Sequence, residues 1–169
     1  MLSYQHGFHA GNLADVQKHA LLATMLDYMT RKDKPISYIE THAGRALYDL
    51  TGDQSRKTGE AAQGIEKVAE WFKPAHPYAR ARKAIAEAHG PHIYPGSPAI
   101  AQALLRDTDH MHLAELHPTE FAELKTNMAA SKRYVGLNMK QQDGMEFAQS
   151  LCPPEPKRGL MLIDPSYEI

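Results

Sequence analysis

The stretch "GLMLIDPSYE" (residues 159–168) shows a pattern from which the fold class can be inferred. Four consecutive apolar residues, Leu160 to Ile163, predict a short strand buried on both faces, as strands of parallel sheets are. Asp164 stands where this strand ends, and Pro165 cannot continue a hydrogen-bonded ladder. Because open α/β sheets bind ligands outside the carboxyl ends of their strands, the stretch predicts part of a binding site.

Three earlier segments also predict strands, and each is followed by polar residues. These segments are "ISYIET" (36–41), "MHLAEL" (111–116) and "YVGLNMKQQDG" (134–144). The first is rich in β-branched and aromatic residues and leads into Gly44, which can form a tight turn. The second ends near Glu115, and the third ends in Asp143 and Gly144. The four strand candidates therefore all end in residues that suit a ligand site.

Helical segments alternate with these strands. Asn12 is a predicted N-cap for a helix over 13–30, in which apolar residues recur every three or four positions. Ser97 is a predicted N-cap with Pro98 at the first helical position, and two more helices are predicted over 118–130 and 145–151. Alternation of this kind predicts an α/β fold with a mostly parallel sheet, right-handed crossovers and helices on both faces.

The segment 52–95 interrupts this alternation. It contains two alanine-rich, charged helical patterns separated by "PAHP", with no strand between them. We therefore predict a helical insert over 52–95, with the main domain formed by 1–51 and 96–169. A strand at 160–163 would be central in a doubly wound sheet, so we expect the C-terminal part of the fold to lie outside this chain.

Composition limits the class of protein. Charged residues make up 23% of the 169 residues and the net charge is −1, which excludes a strongly basic nucleic-acid module and an acidic disordered chain. Cys152 is the only cysteine, so no internal disulfide is expected. No apolar run approaches the roughly 18 residues of a membrane span, and the N-terminus does not have a signal-peptide pattern. A soluble cytoplasmic protein is expected.

The polar strand ends allow two interpretations. A single acid after a strand often begins a turn or caps a helix. Polar residues after four successive strands favour a common ligand instead, with Glu115 after the second strand placed to bind ribose hydroxyls. The single glycine of "THAGRA" does not form a dinucleotide fingerprint, so glycine spacing alone predicts no cofactor.

For the histidines and the basic residues, a purely structural role is an alternative to a functional one. His6 and His9 have a ligand-like spacing, but no further residues complete a pattern, and no metal is expected. His19 lies at the border of an apolar stripe, where a core histidine is the commoner case. The N-terminal arm that includes Tyr4 either stacks on bases or packs on the domain. The basic clusters are interpreted as solvated faces; they comprise Arg80, Arg82, Lys83, Lys132 and Arg133.

The sequence Asp164-Pro165-Ser166-Tyr167 resembles the Asp-Pro-Pro-Tyr motif of methyltransferases that act on amino groups of adenine or cytosine. The exocyclic amine is a poor nucleophile because its lone pair is delocalised into the ring. A carboxylate and a carbonyl held by the rigid proline can accept its hydrogens and favour the reactive geometry. The tyrosine ring would stack on a base flipped out of its helix. Ser166 replaces the usual second proline, but the acid and the ring are kept.

Several blocks along the chain resemble the bacterial 23S ribosomal RNA (adenine-N6)-methyltransferase J family, which modifies adenine 2030. They are "MLSYQHGFHAGNLADVQKH", "THAG", "YPGSP", "ELHP" and "LIDPSYE". The resemblance implies a Rossmann-like methyltransferase fold with a small helical insert, S-adenosylmethionine as the methyl donor, and naked or pre-ribosomal 23S rRNA as the substrate. It implies a monomeric full-length protein that uses neither a metal nor a membrane.

The resemblance also implies roles for individual residues. Asp164 and Tyr167 would be catalytic, and Tyr4 would contact the RNA. The implied cofactor-binding residues are Lys18, His19, His42, Ser97, Glu115, Asp143, Gly144 and Asp164. The residues alone do not choose adenine over cytosine or RNA over DNA. The alternative function is a non-catalytic nucleic-acid-binding protein involved in the use or uptake of external DNA, in which the strand-end acids would share no ligand.

Overall fold

A computed structural model of the protein describes residues 6–129 and 136–166. The described chain forms two compact units. The first, which we call the sheet unit, comprises residues 29–46 and the described residues from 105 onwards. The second, which we call the helical unit, comprises residues 6–28 and 47–104.

The regular elements follow the predicted alternation closely. The strands are β1 (Ser37–Glu40), β2 (Leu47–Asp49), β3 (Ile93–Pro95), β4 (His110–Ala114), β5 (Leu137–Lys140) and β6 (Gly159–Leu162). The α-helices are α1 (Leu13–Thr30), α2 (Asp53–Thr58), α3 (Glu60–Gln63), α4 (Ile65–Val68), α5 (Pro77–His89), α6 (Ser97–Leu104), α7 (Pro118–Ala129) and α8 (Gly144–Leu151). Two 3₁₀ turns span His6–Phe8 and Ala69–Trp71.

The sheet unit is built on four parallel strands in the order β5-β4-β1-β6. The predicted parallel α/β fold is therefore confirmed. Ser37 of β1 lies opposite His110 of β4 and Gly159 of β6, so the three strands begin at the same level. Parallel strands in register also end at the same edge, which is the edge where the polar residues follow.

Strand β1 is the most deeply buried of the four strands, with all its residues inaccessible to solvent. The buried Tyr38 hydroxyl donates a 2.8 Å hydrogen bond to Oε2 of Glu40. Burial and the nearby carboxylate both raise the pKa of Tyr38 well above its ordinary value, so the phenol remains a neutral donor. Glu40 is thus a buried structural acid, although it stands at the end of a strand.

Strand β6 differs from the prediction that it is buried on both faces. Gly159 is exposed, and the three apolar residues after it are only partly buried. The physical reason is its position in the described sheet, where β6 pairs with β1 on one side and is an edge strand. An unbroken apolar run therefore identified the strand correctly, and the described residues cover the faces of this strand only in part.

Two helices of the sheet unit bury the residues that their periodicity predicts. Helix α7 buries Phe121, Leu124 and Met128, which recur at three- and four-residue steps. Helix α8 buries Phe147 and Ala148, and it packs against β1. These contacts bury the apolar faces of both helices and fix the loops that precede them.

Glycines shape the helical unit. The predicted helix after residue 57 is divided into short helices by Gly59, which has φ 65°, and by Gly64. A Cβ atom on Gly64 would lie 2.0 Å from the carbonyl oxygen of Gly11, so only glycine fits there. The nitrogen of Ile65 donates to the same Gly11 oxygen at 2.8 Å. This close approach anchors the segment before α1 to the insert.

The structure also contains a strand pair that the sequence analysis missed. Strands β2 and β3 pair antiparallel, with Tyr48 opposite Tyr94 and Leu47 opposite Pro95. Each strand has only three residues, too few to show alternation, and Pro95 argues against a strand. Helix α6 begins at Ser97, one residue before the predicted first helical position, and the Gly96 carbonyl accepts from the nitrogen of Ile100.

Within the part of the chain that the structure describes, no helix is long and apolar enough to cross a membrane.

Candidate active site at the carboxyl ends of the strands

Backbone hydrogen bonds join the ends of the four parallel strands. The nitrogen of Thr41, after β1, donates to the Leu162 carbonyl of β6 at 3.2 Å, and the nitrogen of Ala43 donates to the Ala114 carbonyl of β4 at 2.9 Å. The nitrogen of Glu115 donates to the Lys140 carbonyl of β5 at 3.2 Å. These bonds place the segments after the strands side by side at one edge of the sheet, where the predicted site lies.

The turn after β1 has two residues in the left-handed region, Gly44 with φ 62° and Ala46 with φ 68°. Glycine adopts this conformation at little cost, whereas alanine loses about 1 kcal/mol or more. The Gly44 nitrogen donates a 2.8 Å hydrogen bond to Oε2 of Glu115. The single glycine of "THAGRA" therefore stands where the backbone bends towards the strand-end acid.

A largely buried ion pair connects the same turn to helix α7. Nε and Nη2 of Arg45 donate to the two oxygens of Glu120 on α7, at 2.9 and 2.5 Å. The Glu120 side chain is 4% exposed, so this two-bond contact lies largely out of water. Nδ2 of Asn127, also on α7, donates to the Arg45 carbonyl at 2.8 Å. Helix α7 thus fixes both the side chain and the backbone of Arg45.

Glu115 is the best oriented acid of the edge. Its second oxygen, Oε1, accepts a 2.7 Å hydrogen bond from the nitrogen of His117. Each carboxylate oxygen can accept two hydrogen bonds, so each keeps one acceptor position after these backbone contacts. A carboxylate held by two N–H groups and still partly exposed is suited to accept hydrogen bonds from a pair of ligand hydroxyls.

Asp143 and Gly144 form the start of helix α8. Oδ1 of Asp143 accepts hydrogen bonds from the nitrogens of Met145 and Glu146, at 2.9 and 3.0 Å. Asp143 is therefore a helix N-cap, which is the structural alternative for an acid after a strand. A Cβ atom on Gly144 would lie 2.0 Å from the Thr41 carbonyl oxygen, so glycine is required for α8 to approach the end of β1.

His42 and Asp164 occupy exposed positions on the same edge. Nδ1 of His42 lies 2.7 Å from Oγ1 of the buried Thr41, a contact that orients an otherwise exposed imidazole ring. Asp164 is exposed and follows β6, with Pro165 partly buried behind it. Tyr167 lies outside the described residues, as does Tyr4. The sheet unit therefore brings together five of the predicted residues: His42, Glu115, Asp143, Gly144 and Asp164.

The other three predicted cofactor residues lie in the helical unit. The Lys18 ammonium lies 3.0 Å from Oδ1 of the buried Asp15, whose Oδ2 accepts from the nitrogen of Gly11 at 3.0 Å. Asn12 caps α1 as predicted, because its Oδ1 accepts from the nitrogen of Asp15 at 2.9 Å. Ser97 is buried at the first position of α6. Lys18 is thus oriented by an acid that the start of α1 holds in place.

A buried chain of hydrogen bonds fixes the ring of His19. Its Nδ1 lies 2.8 Å from the Tyr94 hydroxyl, which lies 3.0 Å from the Tyr78 hydroxyl. Burial raises the pKa of Tyr78 to about 12, and burial followed by the neighbouring Tyr78 raises that of Tyr94 well above its ordinary value. Both phenols therefore stay neutral, and the predicted core environment of His19 is confirmed.

Four residues that hold candidate site residues in place were not predicted from the sequence. They are Arg45, Glu120 and Asn127 in the sheet unit and Tyr94 in the helical unit. Glu120 looks like an ordinary acid in the first turn of a helix, and no local pattern distinguishes it from an exposed one. The only available signals were the arginine directly after the glycine turn and the tyrosine directly before "PGSP". Among the described residues, no three His, Cys, Asp or Glu side chains gather as they would around a metal ion.

The fold places the protein in the class of α/β proteins with a parallel sheet, and acids follow the carboxyl ends of its strands, where proteins of this class bind their ligands. Residues 33–169 match the model of the RsmJ family, described as ribosomal RNA large subunit methyltransferase D, RlmJ. The chain belongs to this family.

Individual relatives agree with this assignment. The chain is 38% identical to ribosomal RNA large subunit methyltransferase J of Escherichia coli (strain K12) and 39% identical to the protein of the same name from Haemophilus influenzae (strain ATCC 51907 / DSM 11121 / KW20 / Rd). In both cases all of this chain is covered, and it spans 60% of the relative's length. The crystal structure of protein LPL1258 from Legionella pneumophila matches with a TM-score of 0.81 at 39% identity, covering 95% of this chain and 59% of that one.

Proposed function

We propose that this chain is part of an enzyme that binds S-adenosylmethionine and transfers its methyl group to the N6 amine of a flipped-out adenine, adenine 2030, in 23S rRNA. The observation that carries the proposal is the Glu115 carboxylate, which backbone N–H groups of Gly44 and His117 aim at the common edge of four parallel strands. Membership of a family named for ribosomal RNA methylation supports it. The protein would act in the cytoplasm, as a monomer, on naked or pre-ribosomal RNA.

The chemistry of the strand-end groups fits this cofactor. Glu115 keeps an acceptor position on each oxygen, which suits the two ribose hydroxyls. Asp143 uses Oδ1 for the cap of α8, and its exposed carboxylate can still accept from an adenine amino group through Oδ2. Gly144, which follows Asp143, permits the close approach of α8 to the end of β1. The family resemblance also assigns Lys18, His19 and Ser97 to the cofactor.

The catalytic role falls to Asp164. When bound, the cofactor supplies an electrophilic methyl group. The Asp164 carboxylate would accept a hydrogen bond from the target amine and so favour the geometry in which the nitrogen lone pair points at the methyl group. Pro165 restricts the backbone directly after the acid, and this restriction keeps the neighbouring backbone carbonyl groups in place. We assign stacking on the flipped base to Tyr167 and a contact with the RNA to Tyr4.

Calorimetric titration with S-adenosylmethionine and S-adenosylhomocysteine tests the cofactor step. We expect saturable heat with both ligands and mutual competition. The variant Glu115→Gln should bind more weakly, because a neutral amide accepts less strongly from hydroxyls and places a donor where an acceptor is needed. Glu123→Gln is the matched control, since Glu123 is an exposed acid on α7. Absence of binding to a folded sample would exclude the proposal.

Mapping of methylated bases tests the substrate. RNA from a strain that lacks the protein should miss one N6-methyladenine in 23S rRNA, and the purified protein should restore it in vitro. An unchanged modification pattern, together with nucleic-acid binding that does not depend on the cofactor, would instead favour a binding protein involved in the use of external DNA.

A further inference from the structure

The helical unit contains a cleft of about 350 Å³ that is separate from the residues assigned to the cofactor. Helices α4 and α5, strand β3 and the segment after β2 form its walls. Two of the lining side chains, Arg82 and Lys83, are cationic, and one, Glu66, is acidic. Cationic side chains therefore outnumber acidic ones in the lining of the cleft.

Arg82 is the residue that distinguishes this cleft from an ordinary solvated face. It is partly buried, and its guanidinium lies over the Tyr78 ring at 5.6 Å from the centroid. No carboxylate of the described residues forms an ion pair with it, whereas Arg80, two positions earlier on the same helix, pairs with Asp27. A cation that has lost part of its water without gaining an anion is unfavourable by itself, and an anionic ligand would supply the missing partner.

Lys83 adds a second cation at the mouth of the cleft. Its Nζ lies 3.8 Å from Oε1 of Glu87, and the two side chains are 78% and 68% exposed. Such an exposed pair holds its lysine weakly, so the ammonium can turn towards a ligand. The interpretation of this basic cluster as a solvated face therefore fits the exposed Arg80 and Lys83, whereas Arg82 is partly buried in the wall of the cleft.

Charge and exposed aromatic surface indicate what kind of anion fits. Residues 52–95 contain seven Lys and Arg against five Asp and Glu, although the whole chain has a net charge of −1. Trp71 is 76% exposed, and the adjacent Phe72 packs edge-on against Tyr78. The Tyr78 ring is the one that the Arg82 guanidinium contacts. Cations and an exposed indole on the same unit suit a polymer that offers both phosphates and unpaired bases, as single-stranded RNA does.

We infer that this cleft binds the phosphate backbone of the RNA substrate, with Arg82 and Lys83 on phosphates and Trp71 stacked on an unpaired base nearby. The inference rests on the proposed function for the identity of the RNA. It adds a second, sequence-independent contact region to the strand-end site. Such contacts position a nucleic acid, while the catalytic site selects the base.

The test compares Arg82→Gln/Lys83→Gln with the matched control Lys57→Gln/Lys73→Gln, which removes two exposed lysines of the helical unit outside the cleft. Affinity for a labelled RNA hairpin with a loop of unpaired bases is measured at several salt concentrations. We expect the cleft variant to bind about tenfold more weakly, and the slope of log affinity against log salt to fall by about 1.4. The control should stay within about twofold of the wild type.

Further variants separate electrostatics from loss of structure. Arg82→Lys keeps the charge and should keep most of the affinity, and Trp71→Ala should weaken binding without changing the salt slope. All variants should melt as the wild type does and keep its affinity for S-adenosylmethionine. An unchanged RNA affinity in the cleft variant, or an equal loss in the control, overturns the inference. Displacement of RNA by inorganic phosphate at equal concentration would mean a small-anion site and also overturns it.

The outcomes for the cleft and for the proposed function are distinguishable. Methyl transfer that proceeds with an unchanged KM for RNA in the cleft variant leaves the proposed function standing and removes the cleft. RNA binding through the cleft by a protein that neither binds the cofactor nor transfers a methyl group does the reverse. For an active enzyme, we expect KM to rise about tenfold and kcat at saturating RNA to change little.

Discussion

The sheet unit and the helical unit hold their candidate residues in different ways. In the sheet unit, backbone N–H groups orient the acids, as Gly44 and His117 do for Glu115. In the helical unit, side chains orient side chains, as Tyr94 does for His19, 75 positions away along the chain. The first arrangement depends on short turns at the ends of strands, and the second depends on tertiary packing.

The two units also differ in the charge that they offer. Acids line the carboxyl edge of the sheet, whereas the cleft of the helical unit presents cations. Acids accept hydrogen bonds from hydroxyl and amino groups, and cations attract phosphates. Our two proposals follow this difference, with the ribose hydroxyls and the target amine at the acids of the sheet unit and the RNA backbone at the cations of the cleft.

The largest expected effect concerns Asp164 in the sheet unit. Asp164→Ala should reduce the rate of methyl transfer at least about 100-fold, which corresponds to about 2.7 kcal/mol of transition-state stabilisation. The side chain is exposed, so the melting temperature should stay unchanged. Asp33→Ala, which removes an exposed acid before β1, is the control. Retention of more than about a tenth of the rate in single-turnover assays would contradict the catalytic role.

Two glycines, one in each unit, allow the packing of the two units to be compared. A Cβ atom would lie 2.0 Å from a backbone oxygen at both Gly144 and Gly64. Each change to alanine should lower the free energy of unfolding by about 2 kcal/mol, because backbone cannot move aside as a side chain can. Gly144→Ala should also weaken cofactor binding more than Gly64→Ala does, since it displaces the end of β1.

Urea unfolding and calorimetry measure both quantities for the two glycine variants. Gly52→Ala provides the control, because its nearest neighbour would lie 3.2 Å away and its backbone does not need a positive φ. If the two variants lost cofactor affinity equally, the distinction between the sheet edge and the helical packing would be wrong for this site.

The same difference explains how much could be predicted from the sequence. The strands and helices of the sheet unit were predicted because apolar periodicity is local, as in α7 with Phe121, Leu124 and Met128. The glycines of the helical unit were predicted only as parts of a longer helix, because the need for Gly64 comes from Gly11, a distant residue. Local sequence patterns therefore predicted the residues at the strand ends, but they did not predict the distant residues that hydrogen-bond to these segments.

The candidate site shows this limit residue by residue. Glu115 and Asp143 were predicted as ligand groups from their place after strands, and the structure gives Asp143 the role of a helix cap as well. Arg45 and Glu120 were not predicted, since their bond spans 75 positions. The partial exposure of β6 was also missed, because burial depends on which strand pairs beside it.

The Arg45–Glu120 pair tests whether α7 holds the turn after β1. Glu120→Gln removes the charge of a buried acid that accepts two bonds, and it should lower the free energy of unfolding by about 2 kcal/mol. The double variant with Arg45→Gln should cost less than the sum of the single changes, because the two residues share one interaction. Glu123→Gln on the exposed face of α7 should have little effect. Additive losses in urea unfolding would exclude a shared interaction.

A smaller effect is expected in the helical unit at Tyr94. Tyr94→Phe removes the hydroxyl between His19 and Tyr78 and should cost about 1 kcal/mol. If His19 contacts the cofactor, the freed ring should also reduce cofactor affinity about fivefold, a loss that Tyr28→Phe at an exposed position should not cause. Unchanged affinity combined with reduced stability would make the tyrosine chain purely structural.

The smallest effect is a pH dependence of stability that arises in the sheet unit at His112. Burial, followed by the nearby His110, lowers the pKa of His112 below its ordinary value of 6.5, and its buried Nε2 has no hydrogen-bond partner in the described structure. Below the unfolded value, the unfolded chain binds a proton that the folded protein does not, so the free energy of unfolding falls as the pH is lowered. We expect the wild type and the control His89→Gln, changed at an exposed histidine, to lose stability together between about pH 7.5 and about pH 5.5. His112→Gln has no titrating group there and should lose less over the same range. Urea unfolding at the two pH values measures the difference, and equal losses in all three proteins would mean that other groups cause the acid sensitivity.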